Sequence, residues 1–138
     1  MAKTTVITGS ASGIGAAIRK RLEDEGDRVI GVDLVNAEIL ADLSGSEGRS
    51  AAVAAALEQC GGRLDRLVTC AGLGTHVKPP SLVASVNYFG AVEVLDGLFE
   101  ALGKGSDPSV VVVVSISRPQ NSVRQVVPFS STSITMYG

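Results

Sequence analysis

The feature that most constrains this chain is a glycine-rich turn over residues 8–15, placed between an apolar stretch and an amphipathic one. The preceding residues Thr4–Thr8 are mostly β-branched, which predicts a strand. Over residues 13–25, apolar side chains recur at three- and four-residue steps between charged ones, which predicts a helix. A glycine turn between a strand and a helix is the context that a dinucleotide-binding loop requires. The sequence therefore predicts a β-α-β unit whose helix start faces the phosphates of a ligand.

The glycines of this turn have different predicted tasks. Gly9 permits the sharp turn, Gly13 lets the backbone approach a pyrophosphate, and Gly15 lets the helix pack close to the sheet. Ser12 and Ile14 complete the predicted cofactor-binding loop. The alternative is a tight turn that binds no ligand, which the strand-helix context disfavours.

An acidic residue, Asp33, ends the second predicted strand, which covers Arg28–Asp33. A carboxylate at this place can accept hydrogen bonds from the ribose hydroxyls of adenosine, and it would repel a ribose phosphate. The loop positions Ser10, Ala11 and Ser12 carry no arginine or lysine that would neutralise such a phosphate. The sequence therefore favours NAD over NADP, the alternative being a solvated acid at the end of a strand.

Strands and helices continue to alternate after this unit, and short loops join them. The last predicted strand is apolar without alternation, as expected where helices cover both faces of a sheet. This order predicts the α/β class, a doubly wound parallel sheet of Rossmann type with helices on both faces. The further predicted elements are a short strand or extended connection over residues 38–43, a helix over 46–60 capped by Ser46, a strand over 64–70, a helix over 81–102 and a strand over 110–115.

Composition and charge exclude several classes of protein. The 138 residues are enough for one core, and the basic side chains form no stripe for nucleic acid. Cys60 and Cys70 lack the spacing of metal ligands, so no metal is expected, and Cys70 is expected to be a small buried hydrophobe. The single histidine, His76, is expected to be exposed in a loop, with a substrate contact as the alternative. We find no signal peptide and no apolar run near the ~20 residues of a membrane span, so we expect a cytoplasmic protein without a membrane partner.

Four short motifs occur in an order and at a spacing that match one known family. They are the loop with three residues between its first two glycines, the acidic-aliphatic pair Asp42-Leu43, the loop Cys70-Ala71-Gly72, and residues 86–90. Through these motifs, residues 3 to about 117 resemble the short-chain dehydrogenase/reductase family. Cys70 departs from the asparagine that usually begins the third motif. Within the family, the runs 70–74 and 85–91 are most similar to bacterial members that act on hydroxysteroids.

The resemblance implies a cofactor, a reaction and the residues that serve them. It implies NAD(H) as cofactor and hydride transfer to or from a small ketone or secondary alcohol, with hydroxysteroids as the substrate class. Asn87 corresponds to the family's catalytic asparagine, which holds a water in the proton relay, and Ser115 to the serine that hydrogen-bonds the substrate carbonyl. Taken alone, they would be an ordinary polar helix residue and a strand-end hydroxyl. The implied cofactor-binding residues are Gly9, Ser12, Gly13, Ile14, Gly15, Asp33, Asp42, Leu43, Cys70, Ala71 and Gly72.

The chain departs from the family where the proton donor is expected. In the family, a tyrosine transfers the proton and a lysine four residues later lowers its pKa from about 10. Here Tyr88 and Tyr137 are the only tyrosines, and no lysine follows Lys104, so these residues contain no Tyr-x-x-x-Lys pair. Tyr137 could correspond to the family tyrosine, but the composition around it favours coincidence. The alternative function is therefore a catalytically inactive nucleotide-binding fragment or remnant.

The composition changes abruptly after Ser117. Residues 118–138 contain two prolines, many serines and threonines, and neither lysine nor acidic residues, as a frameshift or an altered gene end would produce. We therefore predict an NAD-binding domain over residues 1–117, an atypical tail over 118–138, and a sheet that is incomplete at its C-terminal side. The apolar strand at residues 110–114 would then be a sheet edge, which predicts self-association unless the tail or a partner covers it.

Overall fold

The computed structural model describes residues 2–74 and 76–113, together with the backbone of residues 126–129 and 132–137. Strands and helices alternate along most of this length. The elements are β1 (Thr4–Thr8), α1 (Gly13–Asp24), β2 (Arg28–Asp33), β3 (Ile39–Leu40), α2 (Ser46–Cys60), β4 (Arg66–Thr69), α3 (Pro80–Ala84), a π-helical turn (Ser85–Phe89), α4 (Gly90–Gly103), β5 (Ser109–Val113), β6 (Val126–Phe129) and β7 (Thr132–Tyr137).

The described strands form one sheet with the order β3-β2-β1-β4-β5-β7-β6. All neighbouring strands are parallel except β6 and β7, which are antiparallel. The chain runs outward from β1 to β3 and then returns to place β4 on the other side of β1. The topological switch point, where ligands bind in open α/β sheets, therefore lies between β1 and β4.

Helices cover both faces of this sheet. On one face, α2 and α4 pack on strand residues such as Val6, Leu67 and Val110, all of them buried. On the other face, Ile18 of α1 packs against a smaller cluster that includes Ile7. Because successive strand residues point to opposite faces, strands that are covered on both sides are apolar throughout. This arrangement is the predicted doubly wound α/β sheet.

The structure refines two predicted helices. The single helix predicted over residues 81–102 is helical over Pro80–Gly103, but the π-helical turn Ser85–Phe89 interrupts it. Such turns are rare and often occur at functional sites. The predicted cap of α2 is wrong: Gly45, not Ser46, is the N-cap, in an extended conformation without a side-chain hydrogen bond. Ser46 instead begins the helix.

The tail, whose structure the sequence left open, adds two strands to the sheet. Strand β7 pairs in parallel with β5, with Val113 opposite Tyr137, and β6 pairs with the other side of β7. The described part of β5 is therefore not an edge. The outermost strand contains Pro128, whose missing N–H suits an edge strand.

We propose that residues 118–138 are a segment separate from the nucleotide-binding unit, and that its strands β7 and β6 cover the sheet edge. Deleting them should expose the apolar strand β5 and cause association, because an uncovered strand offers free backbone groups to other chains. Sedimentation velocity of the shortened and full chains at the same low concentration measures this. A shortened chain that sediments as a clean, stable monomer would contradict the proposal.

Within the described residues, the helical run Pro80–Gly103 is long and apolar enough to cross a membrane, judged by length and composition alone. The core helix of a soluble protein meets the same criterion. Here Val94, Leu98 and Leu102 are buried in the core cluster on the sheet. This burial fits a core helix, and the absence of a membrane partner stays a prediction.

Candidate functional site

A cleft of about 490 Å³ lies at the carboxyl ends of β1, β2 and β4, at the switch point of the sheet. Every residue that the sequence predicted to bind a cofactor lines it. The cleft is lined by Gly9, Ser12, Gly13, Ile14, Gly15, Val32, Asp33, Leu34, Ala41, Asp42, Leu43, Ser44, Cys70, Ala71, Gly72, Leu73, Leu82, Val86 and Val113.

Two glycines of the loop lie too close to neighbouring backbone to carry a side chain. Gly9 has a φ of +70°, and a Cβ there would lie 2.7 Å from the backbone nitrogen of Ala71. A Cβ on Gly15 would lie 2.7 Å from the carbonyl carbon of Gly9. Gly13 has a φ of +56°, and a side chain there would meet no atom within 4 Å. Gly9 and Gly15 therefore allow the backbone segments around them to pack closely, whereas Gly13 leaves open space at the cleft.

Helix α1 begins at this loop without a side-chain cap. Ser12 is the N-cap residue, in an extended conformation, and its hydroxyl makes no capping hydrogen bond. Ile14, in the first turn, is exposed and lines the cleft. The first amides of a helix lack intrahelical partners and carry a partial positive charge. They are consequently available to an anionic ligand such as a pyrophosphate.

Two carboxylates lie at the rim beyond β2. Asp33 Oδ2 accepts a hydrogen bond from the Ala11 amide at 2.9 Å, and its Oδ1 accepts one from the Leu34 amide at 2.7 Å. Asp42 Oδ1 accepts the Ser44 amide at 2.9 Å. Hydrogen bonds from the Ser44 hydroxyl and amide lower the pKa of Asp42. These contacts fix two negative charges at one end of the cleft.

The loop after β4 is fastened to β1. The Cys70 amide donates to the Thr8 carbonyl at 3.0 Å, and the Ala71 amide donates to Thr8 Oγ1 at 3.2 Å. Cys70 is half-buried, and burial raises the pKa of its thiol. A thiol that stays protonated is a poor nucleophile, which fits the predicted packing role.

Asn87 lies in the π-helical turn, and its side chain binds the same loop. Its Oδ1 accepts the Leu73 amide at 2.7 Å, and its Nδ2 donates to the Leu73 carbonyl at 3.0 Å. Asn87 thus pairs with Leu73 as a neighbouring strand would. The side-chain amide holds the loop that lines the cleft and does not itself line it.

The remaining predicted residues are Ser115, Tyr137 and His76. Ser115 lies outside the described residues. Of Tyr137 the backbone alone is described, at the carboxyl end of β7 opposite Val113. His76 is exposed, and its imidazole lies within 3 Å of where a Cβ on Gly74 would be. The described residues contain no cluster of side chains that could hold a metal ion.

The sequence did not indicate that a buried arginine supports the cleft wall. Arg49 Nη1 donates to the Leu43 carbonyl at 3.0 Å, and its Nε donates to Glu93 Oε2 at 2.6 Å. The guanidinium also lies 5.9 Å from the ring centre of Phe89. Because Arg49 and Glu93 are far apart in sequence, no local pattern could have found this pair. By contrast, Leu73 and other lining residues fall within the runs on which the family resemblance rests.

Comparisons with known proteins decide the family. No model of a protein family matches the chain. It is 50% identical over 112 residues to the 3-alpha-hydroxysteroid dehydrogenase/carbonyl reductase of Comamonas testosteroni, covering 81% of this chain and 44% of that protein. It resembles the structure of an oxidoreductase of the short chain dehydrogenase/reductase family from Brucella ovis, in complex with a partially ordered NAD. The TM-score is 0.73 at 30% identity, covering 87% of this chain and 67% of the other.

The chain belongs to the short-chain dehydrogenase/reductase family. A further solved relative, the 3-alpha-hydroxysteroid dehydrogenase from Pseudomonas sp. B-0831 complexed with NADH, has a TM-score of 0.81 and 54% identity. This match covers 82% of the present chain and 44% of the other. The predicted family and fold class are confirmed. The chain spans less than half the length of the first curated relatives that it matches, 44% in each case.

Proposed function

We propose that this short-chain dehydrogenase/reductase chain binds NAD(H) in the cleft at the switch point. It would serve an oxidoreductase that interconverts a secondary alcohol and a ketone. The observation that carries the proposal is that all the predicted cofactor residues line one cleft at the carboxyl ends of parallel strands. The open space at Gly13 and the uncapped start of α1 suit a pyrophosphate. Asp33 suits the ribose hydroxyls. The two solved relatives named above are complexes with NADH and with a partially ordered NAD.

The residues of the chain divide the work of orientation between them. NAD(H), when bound, supplies or accepts the hydride. The amides of the glycine loop and of α1 would hold the phosphates, and Asp33 would accept hydrogen bonds from the ribose. Asn87 fixes the loop at Leu73, so that the cleft wall keeps its shape. By family resemblance, Ser115 would hydrogen-bond the substrate carbonyl, for which a hydroxysteroid or similar ketone is the proposed class.

A second candidate is nucleotide binding without catalysis. It is favoured by one observation: these 138 residues contain no Tyr-x-x-x-Lys pair to donate and tune the proton. The two candidates are separated by an assay of NAD reduction with a panel of secondary alcohols that includes hydroxysteroids. Turnover supports catalysis by another proton donor, whereas NADH binding without turnover supports the second candidate. For either candidate we propose a cytoplasmic location.

We expect the chain to bind NADH more tightly than NADPH, because Asp33 would repel a ribose phosphate. Replacing Asp33 by asparagine should weaken NADH binding about tenfold, since a charged acceptor is lost. The same change should reduce the preference for NADH over NADPH, since the charge that repels the ribose phosphate is lost. Titration of NADH and NADPH fluorescence measures both effects. Asp24→Asn, at the far end of α1, is the control and should change neither affinity. Equal or tighter NADPH binding by the parent chain would refute this use of Asp33.

A further inference from the structure

A second hollow lies behind the acidic rim of the cleft. Its volume is about 460 Å³, and it contains one cation, Arg19, and one anion, Glu38. Ala11 of the hollow donates its amide to Oδ2 of Asp33, which lines the cleft, at 2.9 Å. The hollow is lined by Ser10, Ala11, Arg19, Asn36, Ala37 and Glu38.

The carboxylate of Glu38 engages the guanidinium of Arg19 with both oxygens. Arg19 Nη1 donates to Glu38 Oε2 at 2.9 Å, and Nη2 donates to Oε1. The hydrogen bond from Arg19 lowers the pKa of Glu38, and the same bond raises the pKa of Arg19, so both are ionised. Glu23 binds the remaining Nε at 2.9 Å from the outer side. The positive charge of Arg19 is therefore neutralised where it lies.

A glycine in β2 makes room for this pair. The Gly31 amide donates to Glu38 Oε2 at 2.7 Å. A Cβ on Gly31 would lie 2.8 Å from Arg19 Nη1 and 2.9 Å from Glu38 Oε2. A larger residue would require the ion pair and the Ser10 hydroxyl to shift. Through the amide of Gly31, two residues before the Asp33 that ends β2, the strand fixes Glu38 beside the arginine.

We propose that Glu38 is a second residue that selects NAD over NADP, acting by neutralising Arg19. This inference rests on the proposed function, which puts the ribose of adenosine against Asp33. A phosphate on that ribose would lie near the wall formed by Ala11, with Arg19 behind it. Arg19 is the single cation lining the described hollow, and Glu38 cancels its attraction for the phosphate. Asp33 repels the phosphate directly. Glu38 neutralises Arg19, whose positive charge would otherwise offset this repulsion.

Glu38→Gln tests the proposal, because glutamine keeps an acceptor for the Gly31 amide but loses the charge. We expect the ratio of NADPH to NADH affinity to rise about tenfold at low salt. The rise should shrink at high salt, since it is electrostatic. If Glu38 had only a structural role, Glu38→Gln would lower the affinities for NADH and NADPH equally, and their ratio would not depend on salt.

Three further variants complete the test. Glu23→Gln removes the partner of Arg19 that does not line the hollow, and it should raise the ratio less than Glu38→Gln does, because Glu23 contacts one nitrogen of the guanidinium and Glu38 contacts two. Arg19→Gln alone should lower the ratio of NADPH to NADH affinity. In the double variant Arg19→Gln/Glu38→Gln, the rise expected for Glu38→Gln should be absent, because that rise depends on the charge of Arg19. An unchanged ratio in Glu38→Gln, or a gain that persists without Arg19, would overturn the proposal. A parent chain that does not bind NADH would instead refute the proposed function, and the inference with it.

Discussion

Alanine at Gly9 is expected to weaken NADH binding at least about 100-fold and to lower the free energy of unfolding by about 3 kcal/mol. Gly9 has a φ of +70°, which disfavours any side chain. The added Cβ would also lie 2.7 Å from the nitrogen of Ala71 and 2.8 Å from the carbonyl carbon of Cys70. These are backbone atoms that cannot rotate away, so the glycine loop and the loop after β4 would have to separate.

Two matched glycine variants isolate the cause. Gly103→Ala, at the end of α4, meets nothing within 4 Å and requires no positive φ, so stability should not fall. Gly13→Ala has a φ of +56° but open space, and should cost only about 1 kcal/mol of stability. Cofactor titration and thermal unfolding of the three variants give the comparison. If Gly9→Ala binds NADH like the parent chain, the loop does not form the cofactor site.

The parts of the fold that the sequence predicted are those with local causes. Strand β1, the start of α1 and strand β2 follow from β-branched runs, three- and four-residue spacing and a glycine turn within about thirty positions. The glycine-loop side of the cleft follows from them, because parallel strands bring their carboxyl ends to one edge. Asp42, Leu43 and the loop Cys70-Ala71-Gly72 were placed at the cofactor by the family resemblance. Asp33 could be placed at the rim because it ends a strand.

The parts that were not predicted depend on distant contacts. The parallel pairing of β7 with β5 joins segments separated by the residues after Val113, and a serine- and threonine-rich tail has no local signature for it. The π-helical turn contains Asn87, which pairs with Leu73 in the loop after β4. The two residues lie in different elements. The ion pair of Arg49 with Glu93 likewise joins α2 to α4. Helical spacing reveals the face of a helix but not the partner of a charge.

Another distant contact lies at the amino ends of the strands, opposite the cofactor cleft. Asp65 is buried, and its Oδ2 accepts the Thr4 amide at 2.8 Å while its Oδ1 accepts the Ser106 amide at 2.7 Å. One side chain thereby joins the start of β1 to the loop before β5. Burial opposes ionisation of Asp65, but the hydrogen bonds from Ser106 and Thr4, together with the positive charges of Arg63 and Lys3, outweigh it and lower its pKa.

Alanine at Asp65 should therefore lower the free energy of unfolding by about 3 kcal/mol, since two amides lose their acceptor. Asparagine should cost about half as much, because one of its two groups still accepts. Glu100→Ala, on the exposed side of α4, is the control and should change little. Urea unfolding at neutral pH measures the three variants. A cost for Asp65→Ala as small as that of the control would show that the two amides find other partners.

The same residue gives the chain a defined response to acid. Because the pKa of Asp65 is lower in the folded chain, its stabilisation is complete above the unfolded pKa of about 3.9 and is lost as the pH falls through the folded value. The difference in stability between the parent chain and Asp65→Asn should thus be constant near neutral pH and shrink below about pH 4. Taking this difference removes the contributions of the other carboxylates, which both proteins share. A difference that stays constant down to pH 2 would mean that the charge of Asp65 contributes nothing, and that its hydrogen bonds act as those of a neutral acceptor.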